Sequence, residues 1–281
     1  MNSSSGLPDT IFVGPPKTAS TWIYECLHDH PQISVPENDN IDYFSANYHR
    51  DIDWYLSELG DSSIGSVVDM SQGYFQSIKA PSRIVDTVPD ADIVITIRNP
   101  MDRAFSHWWH GRGSKYHEYN FENIFNDYSK FVWWARPGFY YEHTSRFLDC
   151  FPDDQIHIVF FEDLVEDDYE FIQNIFEIID VDSDYVPEQV DEKSNTANRD
   201  APAVWVRLRN WLRSNAPPKS KTILEPLYHG TKYFVESESE YDRGMNPELR
   251  RQLEQVYIED VRALSSLTGR DFNHWFEYIE V

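Results

Sequence analysis

The sequence predicts an α/β domain in which a central parallel sheet carries helices on both faces. Short apolar runs alternate with amphipathic helical patterns over residues 10–180, and such alternation is typical of parallel sheets. The clearest run, at 92–97, is apolar at successive positions, as expected for a strand buried on both faces. The chain has 281 residues, 41% of them hydrophobic, which is enough to bury a large core.

Four strands and five helices are predicted along this first part of the chain. The strands are expected at 10–13, 66–69, 92–97 and 156–161. Ser20 or Thr21 is expected near the N-cap of the first helix, and His30-Pro31 is expected to end it. Pro100 suits the first turn of another helix. Further helices are expected at 82–88, 142–150 and 168–179.

Strand signals fade beyond about residue 180. Residues 201–214 and 247–264 show helical patterns, and residues 236–244 form a polar stretch. With no clean linker in view, we expect a single domain over 1–281. Its core would occupy about 10–180, and residues 181–281 would form a helical C-terminal cover.

The charge of the chain is strongly negative. Asp and Glu number 48 against 24 Lys and Arg, a net charge of -24. This balance excludes nucleic acid as a partner, because phosphate binding needs a basic face. Acid spread along the chain resembles proteins of halophilic archaea, whose molar salt shortens the Debye length to about 3 Å; an acidic mesophilic protein is the alternative. No apolar run is long enough for a membrane span, and no signal peptide is evident, so we expect a cytoplasmic protein.

The turn between the first predicted strand and helix is a candidate anion site. A helix N-terminus presents backbone N–H groups and the positive end of the helix dipole. Lys17 adds a charge, and Thr18, Ser20 and Thr21 add hydroxyl groups. A capped helix with a surface lysine is the alternative. The turn is not a Walker A loop, in which glycine and lysine come later, so a nucleotide kinase is disfavoured.

A second candidate site follows the strand at 92–97. Arg98 stands at the carboxyl end of this strand, where α/β proteins bind ligands. Ser106 follows about two helical turns later. Together they are suited to a second phosphate, since arginine offers a fork of donors and serine a hydroxyl. Arg103 is expected to pair with Asp102 or another nearby acid instead.

These two segments together resemble the PAPS-dependent sulfotransferases, in which PAPS is 3′-phosphoadenylyl sulfate. Residues 16–21 resemble the family's 5′-phosphosulfate loop, K-x-G-[ST]-[ST]. Residues 98–106 resemble its 3′-phosphate motif, R-[ND]-P-x-x-R-x-x-S. The likeness extends to the carbohydrate branch, which includes heparan sulfate sulfotransferases, through segments 30–33, 43–44, 54–56 and 69–75. It covers roughly residues 10–180.

The resemblance implies a P-loop-NTPase-like three-layer fold and transfer of a sulfuryl group from PAPS to a hydroxyl or amine of an acceptor, with a carbohydrate or glycan favoured. It implies no metal, and the oligomeric state stays open. Lys17 would act catalytically at the bridging oxygen, and Arg98 and Ser106 would bind the 3′-phosphate. Lys193 and Arg199 would belong to a loop that closes over the nucleotide. The remaining cofactor-binding residues would be Thr18, Ala19, Ser20 and Thr21.

Two departures from the family pattern bear on the site. Ala19 replaces the loop glycine, so we expect its backbone to avoid positive φ. The position of the family's catalytic glutamate is Asn40, which cannot accept a proton as a base. Asp42 and Asp39 are therefore the candidate bases, with Asp42 favoured and Asp69 a more distant alternative. A non-catalytic nucleotide- or glycan-binding relative remains open.

Overall fold

This computed structural model describes residues 6–111, 120–190 and 244–279. Of these, residues 6–111, 120–190 and 246–279 belong to one compact unit. The helix predicted at 201–214, most of the polar stretch at 236–244, and both Lys193 and Arg199 lie outside the described residues. Among the described helices, none combines the length and the apolar character that crossing a membrane requires.

Five parallel strands form the sheet, in the order β2-β3-β1-β4-β5. All four predicted strands are confirmed to within one residue. The additional strand β2 has only two residues, too few for a recognisable pattern. The strands are β1 (Thr10–Gly14), β2 (Ile33–Ser34), β3 (Ser66–Met70), β4 (Asp92–Ile97) and β5 (Ile156–Phe160).

The five helices predicted before residue 180 are present, and the helix predicted at 247–264 extends four residues further. Three short helices were not predicted. The helices are α1 (Ser20–Asp29), α2 (Ile52–Glu58), α3 (Ala80–Thr87), α4 (Pro100–Gly111), α5 (Tyr128–Lys130), α6 (Tyr140–Leu148), α7 (Phe161–Glu166), α8 (Asp168–Ile179) and α9 (Pro247–Thr268).

Helices cover both faces of the sheet. On one face, α1, α7 and α8 share a core with strand residues such as Phe12, Val68 and Val94. Side chains alternate along a strand, so the intervening residues, among them the buried Ile11 and Ile93, face the other layer. There α9 packs on α6 and α4.

The chain order places a crevice at the carboxyl end of β1. From β1 the chain continues through β2 and β3 on one side, then crosses to β4 and β5 on the other. In open parallel sheets ligands bind at such a switch point, outside the carboxyl ends of the strands. The loop after β1 and the residues that follow β3 and β4 meet there.

Candidate active site

The loop of residues 15–19 joins β1 to α1, and we call it the first loop. Ala19 is the N-cap residue of α1, with φ of 72°, and Lys17 has φ of 74°. The expectation that Ala19 avoids positive φ is therefore wrong: this tight turn requires the left-handed conformation even without glycine. Ser20 is the first residue of α1, directly after the N-cap, which agrees with the prediction that Ser20 or Thr21 lies near the cap. An alanine side chain cannot cap a helix, which leaves the start of α1 suited to an anionic ligand.

The hydroxyl groups of the first loop and α1 have different surroundings. Thr18 is buried, and its hydroxyl donates to the carbonyl of Pro15 at 2.7 Å and contacts the hydroxyl of Thr96. This leaves its backbone N–H as the group that Thr18 can offer a ligand. Ser20 Oγ accepts a hydrogen bond from Gln72 Nε2 at 2.9 Å and keeps its own proton for another acceptor. Thr21 is half-buried at the second position of α1.

Arg98 lies directly beside the first loop. Its Nη1 is 3.5 Å from the carbonyl oxygen of Lys17, although 81 residues separate the two. The guanidinium lies 4.4 Å from the centre of the Phe161 ring and borders an open cleft of about 250 Å³. Ser106 is half-buried on α4. The fold therefore places Arg98 against the backbone of Lys17, so that two of the four predicted cationic residues border the same end of the sheet.

Arg103 supports the first loop from within the protein. It is fully buried, and it donates to the carbonyl oxygens of Pro16, at 3.5 Å, and Trp134. The expected pairing of Arg103 with an acid is wrong, because Asp102 points outward and binds Arg250 at 2.8 Å. The buried guanidinium instead donates through Nη1 and Nη2 to backbone carbonyls, one of them in the first loop, while its Nε has no hydrogen-bond partner in the described part of the chain.

His107 lies one turn after Arg103 on α4. Its Nδ1 lies 3.4 Å from Arg103 Nη1. Burial, with the charges of Arg103 and Lys17, lowers the pKa of His107 to about 2. The imidazole is therefore neutral at physiological pH, so the positive charge of this region resides on its arginine and lysine side chains.

Asp39 is a carboxylate close to the residues that flank the first loop. It lines a small cavity together with Gly14 and Ser20. One oxygen, Oδ1, accepts a hydrogen bond from Asn40 Nδ2 at 3.0 Å. Asn40 in turn accepts from the backbone N–H of Gln72 at 3.2 Å. Asn40 thus orients its neighbour's carboxylate.

Asp42 is engaged by the backbone around it. Its Oδ1 accepts from the Gly73 N–H at 3.1 Å and from Ser45 Oγ at 3.3 Å, while its own N–H donates to Ser71 Oγ at 3.0 Å. Its φ is 51°. Burial raises the pKa of Asp42, and the bonds from Ser45 and Gly73 oppose that shift. These hydrogen bonds anchor the loop at Asp42.

Asp69, the distant alternative base, is completely buried on β3. Hydroxyl groups of Tyr55, Tyr74 and Ser71 donate to it at 2.8, 2.9 and 2.6 Å. Burial raises its pKa to about 6, against the effect of these hydrogen bonds. A carboxylate so enclosed has no access to an acceptor molecule.

The geometry defines a class of protein: an α/β protein whose first loop, unlike a Walker A loop, leads into a helix N-terminus beside Arg98, an arrangement suited to anionic ligands. A family model described as "Sulfotransferase domain" matches residues 7–206, and the chain belongs to this family. Within the described ranges, no three His, Cys, Asp or Glu side chains are placed to hold a metal ion.

Individual relatives agree with this assignment. The bifunctional heparan sulfate N-deacetylase/N-sulfotransferase 3 of Mus musculus is 31% identical over 176 residues, and isoform 2 of Homo sapiens is 32% identical over 173. Each alignment covers 54% of this chain and only 20% of the relative. A crystal structure of a sulfotransferase from Alicyclobacillus acidocaldarius matches with a TM-score of 0.71 at 22% identity, covering 96% of this chain and 98% of that one. This structural match establishes that the chain has the P-loop-like sulfotransferase fold.

Sequence reasoning used segment 69–75 for the family resemblance but missed the role of the turn formed by residues 71–73, which contacts both sides of the site. Its N–H groups and hydroxyl bind Asn40 and Asp42, and the side chain of Gln72 reaches Ser20. The available signal was a cluster of small polar residues directly after β3, at the same edge of the sheet as the first loop.

Proposed function

We propose that the chain transfers a sulfuryl group from PAPS to an amine or hydroxyl of a carbohydrate. One observation carries the proposal: Arg98 lies against the first loop, beside Lys17 and the N-terminus of α1, at the switch point of the sheet. Two separate centres of positive charge suit a nucleotide with phosphate at both its 5′ and 3′ positions.

The donor side of the site is assigned to the first loop and to α4. PAPS supplies the sulfuryl group. The N-terminus of α1 and the N–H groups of residues 18–21 would hold the 5′ end, with the Ser20 and Thr21 hydroxyls as further donors. Arg98 and Ser106 would hold the 3′-phosphate. The Lys17 ammonium would stabilise negative charge on the departing phosphate oxygen, the electrostatic role that transfer through a loose transition state demands. Lys193 and Arg199 remain predicted contacts of the nucleotide.

For the acceptor side we propose Asp39 as the general base, ahead of Asp42. Asp39 borders the cavity beside Gly14 and Ser20, and Oδ1 is the oxygen that Asn40 fixes. A base must reach the proton that it removes. Asp42, by contrast, binds Gly73 and Ser45 within its own part of the chain.

A carbohydrate amine is the acceptor that we favour. The relatives reported above carry the name N-sulfotransferase, and an amine that has lost its proton is a ready nucleophile for sulfur. The alternative is a non-catalytic nucleotide- or glycan-binding protein, because Asn40 stands at the position of the family's catalytic base and cannot accept a proton. The cytoplasmic location and the halophilic origin, which would determine the glycans available as acceptors, both remain predictions.

The experiment is turnover with radiolabelled PAPS and matched glucosamine polymers that carry free or acetylated amines. We expect label to enter the free-amine polymer and to be lost in Lys17→Ala, whereas Lys79→Ala, at the exposed lysine that precedes α3, keeps wild-type turnover. Label in both polymers equally would move the acceptor to a hydroxyl. Nucleotide binding without transfer to any polymer in the panel would support the non-catalytic alternative.

A further inference from the structure

We propose that Asp69 is a positioning residue that holds the acceptor-side loop, residues 39–44, in register with the first loop, acting through Ser71. This inference rests on the proposed function and deepens it, because it assigns a task to a buried carboxylate that no step of sulfuryl transfer uses. Asp69 acts on hydroxyl groups of the protein rather than on a substrate.

The hydrogen bonds of Asp69 orient the Ser71 hydroxyl. A serine hydroxyl has one proton to donate and lone pairs to accept. The proton of Ser71 is directed at Asp69 Oδ1, at 2.6 Å, because an ionised carboxylate only accepts. The lone pairs of Ser71 are therefore available to the N–H of Asp42, at 3.0 Å.

The 71–73 turn fastens the acceptor-side loop at three points. Beside the bond between Ser71 and Asp42, the Gln72 N–H donates to Asn40 Oδ1 at 3.2 Å and the Gly73 N–H donates to Asp42 Oδ1 at 3.1 Å. These contacts fix Asn40, whose side-chain amide donates to Asp39. The position of the proposed base thus depends on the turn.

The same turn also contacts β1, the strand that leads into the first loop. The Ser71 N–H donates to the Phe12 carbonyl at 3.0 Å. A Cβ at Gly14 would lie 2.7 Å from the Gln72 carbonyl oxygen, and Gly14 has φ of 100°, so this close approach requires glycine. Gln72 Nε2 reaches Ser20 Oγ. One turn therefore sets the spacing between the donor and acceptor sides.

Tyr55 and Tyr74 complete the arrangement around Asp69. Both hydroxyls donate to Oδ2, which leaves Oδ1 to Ser71. The Tyr55 ring stacks on Tyr43 of the acceptor-side loop, with ring centres 4.5 Å apart. The carboxylate thus joins the hydrogen bonds of the loop to its aromatic packing.

The test compares Asp69→Asn and Ser71→Ala with Asp260→Asn. Asp260 is a matched control: it is a partly buried carboxylate that accepts the N–H groups of Tyr141 and Glu142 at 2.9 and 3.0 Å, within the layer formed by α6 and α9. All assays are run well below each variant's melting temperature. We expect kcat to fall about 10- to 100-fold in the first two variants, as for a misplaced reacting group, while Asp260→Asn keeps wild-type kcat.

Two further readouts separate positioning from loss of fold. The stabilisation by adenosine 3′,5′-bisphosphate should stay at its wild-type value in Asp69→Asn and Ser71→Ala, because their donor side is intact. The hydrogen exchange of the Asp42 amide should quicken at least tenfold in both, and in Asp260→Asn it should not change. Unchanged Asp42 exchange, or a kcat loss that Asp260→Asn shares, would overturn the positioning role. A wild-type protein that never turns over would instead refute the proposed function, and the exchange rates would still decide the role of Asp69.

Discussion

The two sides of the site are built in different ways. The donor side consists of backbone at the ends of β1 and β4 and at the start of α1, with a few cationic side chains added. The acceptor side is a loop held by side-chain hydrogen bonds to the 71–73 turn. Sheet topology, with Arg103 supporting the first loop, thus places the proposed donor side, whereas the proposed acceptor side depends on individual polar side chains. Changes on the two sides should have different consequences.

The largest effect is expected on the acceptor side, from Asp39→Asn. Removing a general base typically costs 10²- to 10⁴-fold in rate. Asp42→Asn should cost less, since Asp42 fastens the loop and does not take the proton. Asn40→Ala should lower kcat about tenfold, because the Asp39 carboxylate loses its partner. Steady-state kcat with saturating PAPS measures all three, and wild-type kcat in Asp39→Asn would place the base elsewhere.

On the donor side, Lys17→Ala should lower kcat about 10²- to 10³-fold, as expected for one lost contact to developing charge. Its melting temperature should stay close to that of the wild type, because the loop is supported independently by Arg103. Turnover and thermal unfolding are measured on the same preparation. An unfolded variant would make Lys17 structural, and unchanged kcat would remove it from catalysis.

On the acceptor side, the buried carboxylate of Asp69 should make the free energy of unfolding depend on pH. Burial raises the pKa of Asp69 to about 6, above the value of about 3.9 in an unfolded chain. Its contribution to stability is therefore fully present below pH 4 and is lost as pH rises through 6. Between pH 4 and pH 7 the wild type should lose on the order of 3 kcal/mol relative to Asp69→Asn. Denaturant unfolding at both pH values measures this difference, and a difference that stays constant or rises with pH would contradict it.

The smallest effect is expected at Ala19. Its left-handed backbone costs roughly 1–2 kcal/mol. Glycine would remove this cost, but glycine also gives the unfolded chain more conformational freedom, which offsets part of the gain. Ala19→Gly should therefore stabilise the protein by about 0.5–1 kcal/mol. Ala91→Gly, at a buried alanine outside the left-handed region, should destabilise it. Equal losses in both variants would show that the strain at Ala19 is negligible.

The two sides also differ in how far the sequence predicts them. Strand runs and the segments around Lys17 and Arg98 are local patterns, so their positions follow from order along the chain. The contact between Gln72 and Ser20 joins residues 52 positions apart and has no local pattern. Ala19 shows a further limit, since the geometry of a turn determines φ even where the residue type opposes it. The sequence favours Asp42 as the base, whereas the hydrogen bonds of the two residues and the cavity that Asp39 lines favour Asp39.

The most direct test of the central claim, a donor site with two centres for anions, is calorimetric binding of adenosine 3′,5′-bisphosphate and of AMP. We expect the bisphosphate to bind the wild type much more tightly than AMP, and Arg98→Ala to reduce its affinity nearly to that of AMP. At 100 times its Kd the bisphosphate should add about 2.7 kcal/mol to the free energy of unfolding. Equal affinities for both nucleotides in the wild type, or a preference that Arg98→Ala leaves unchanged, would contradict the account.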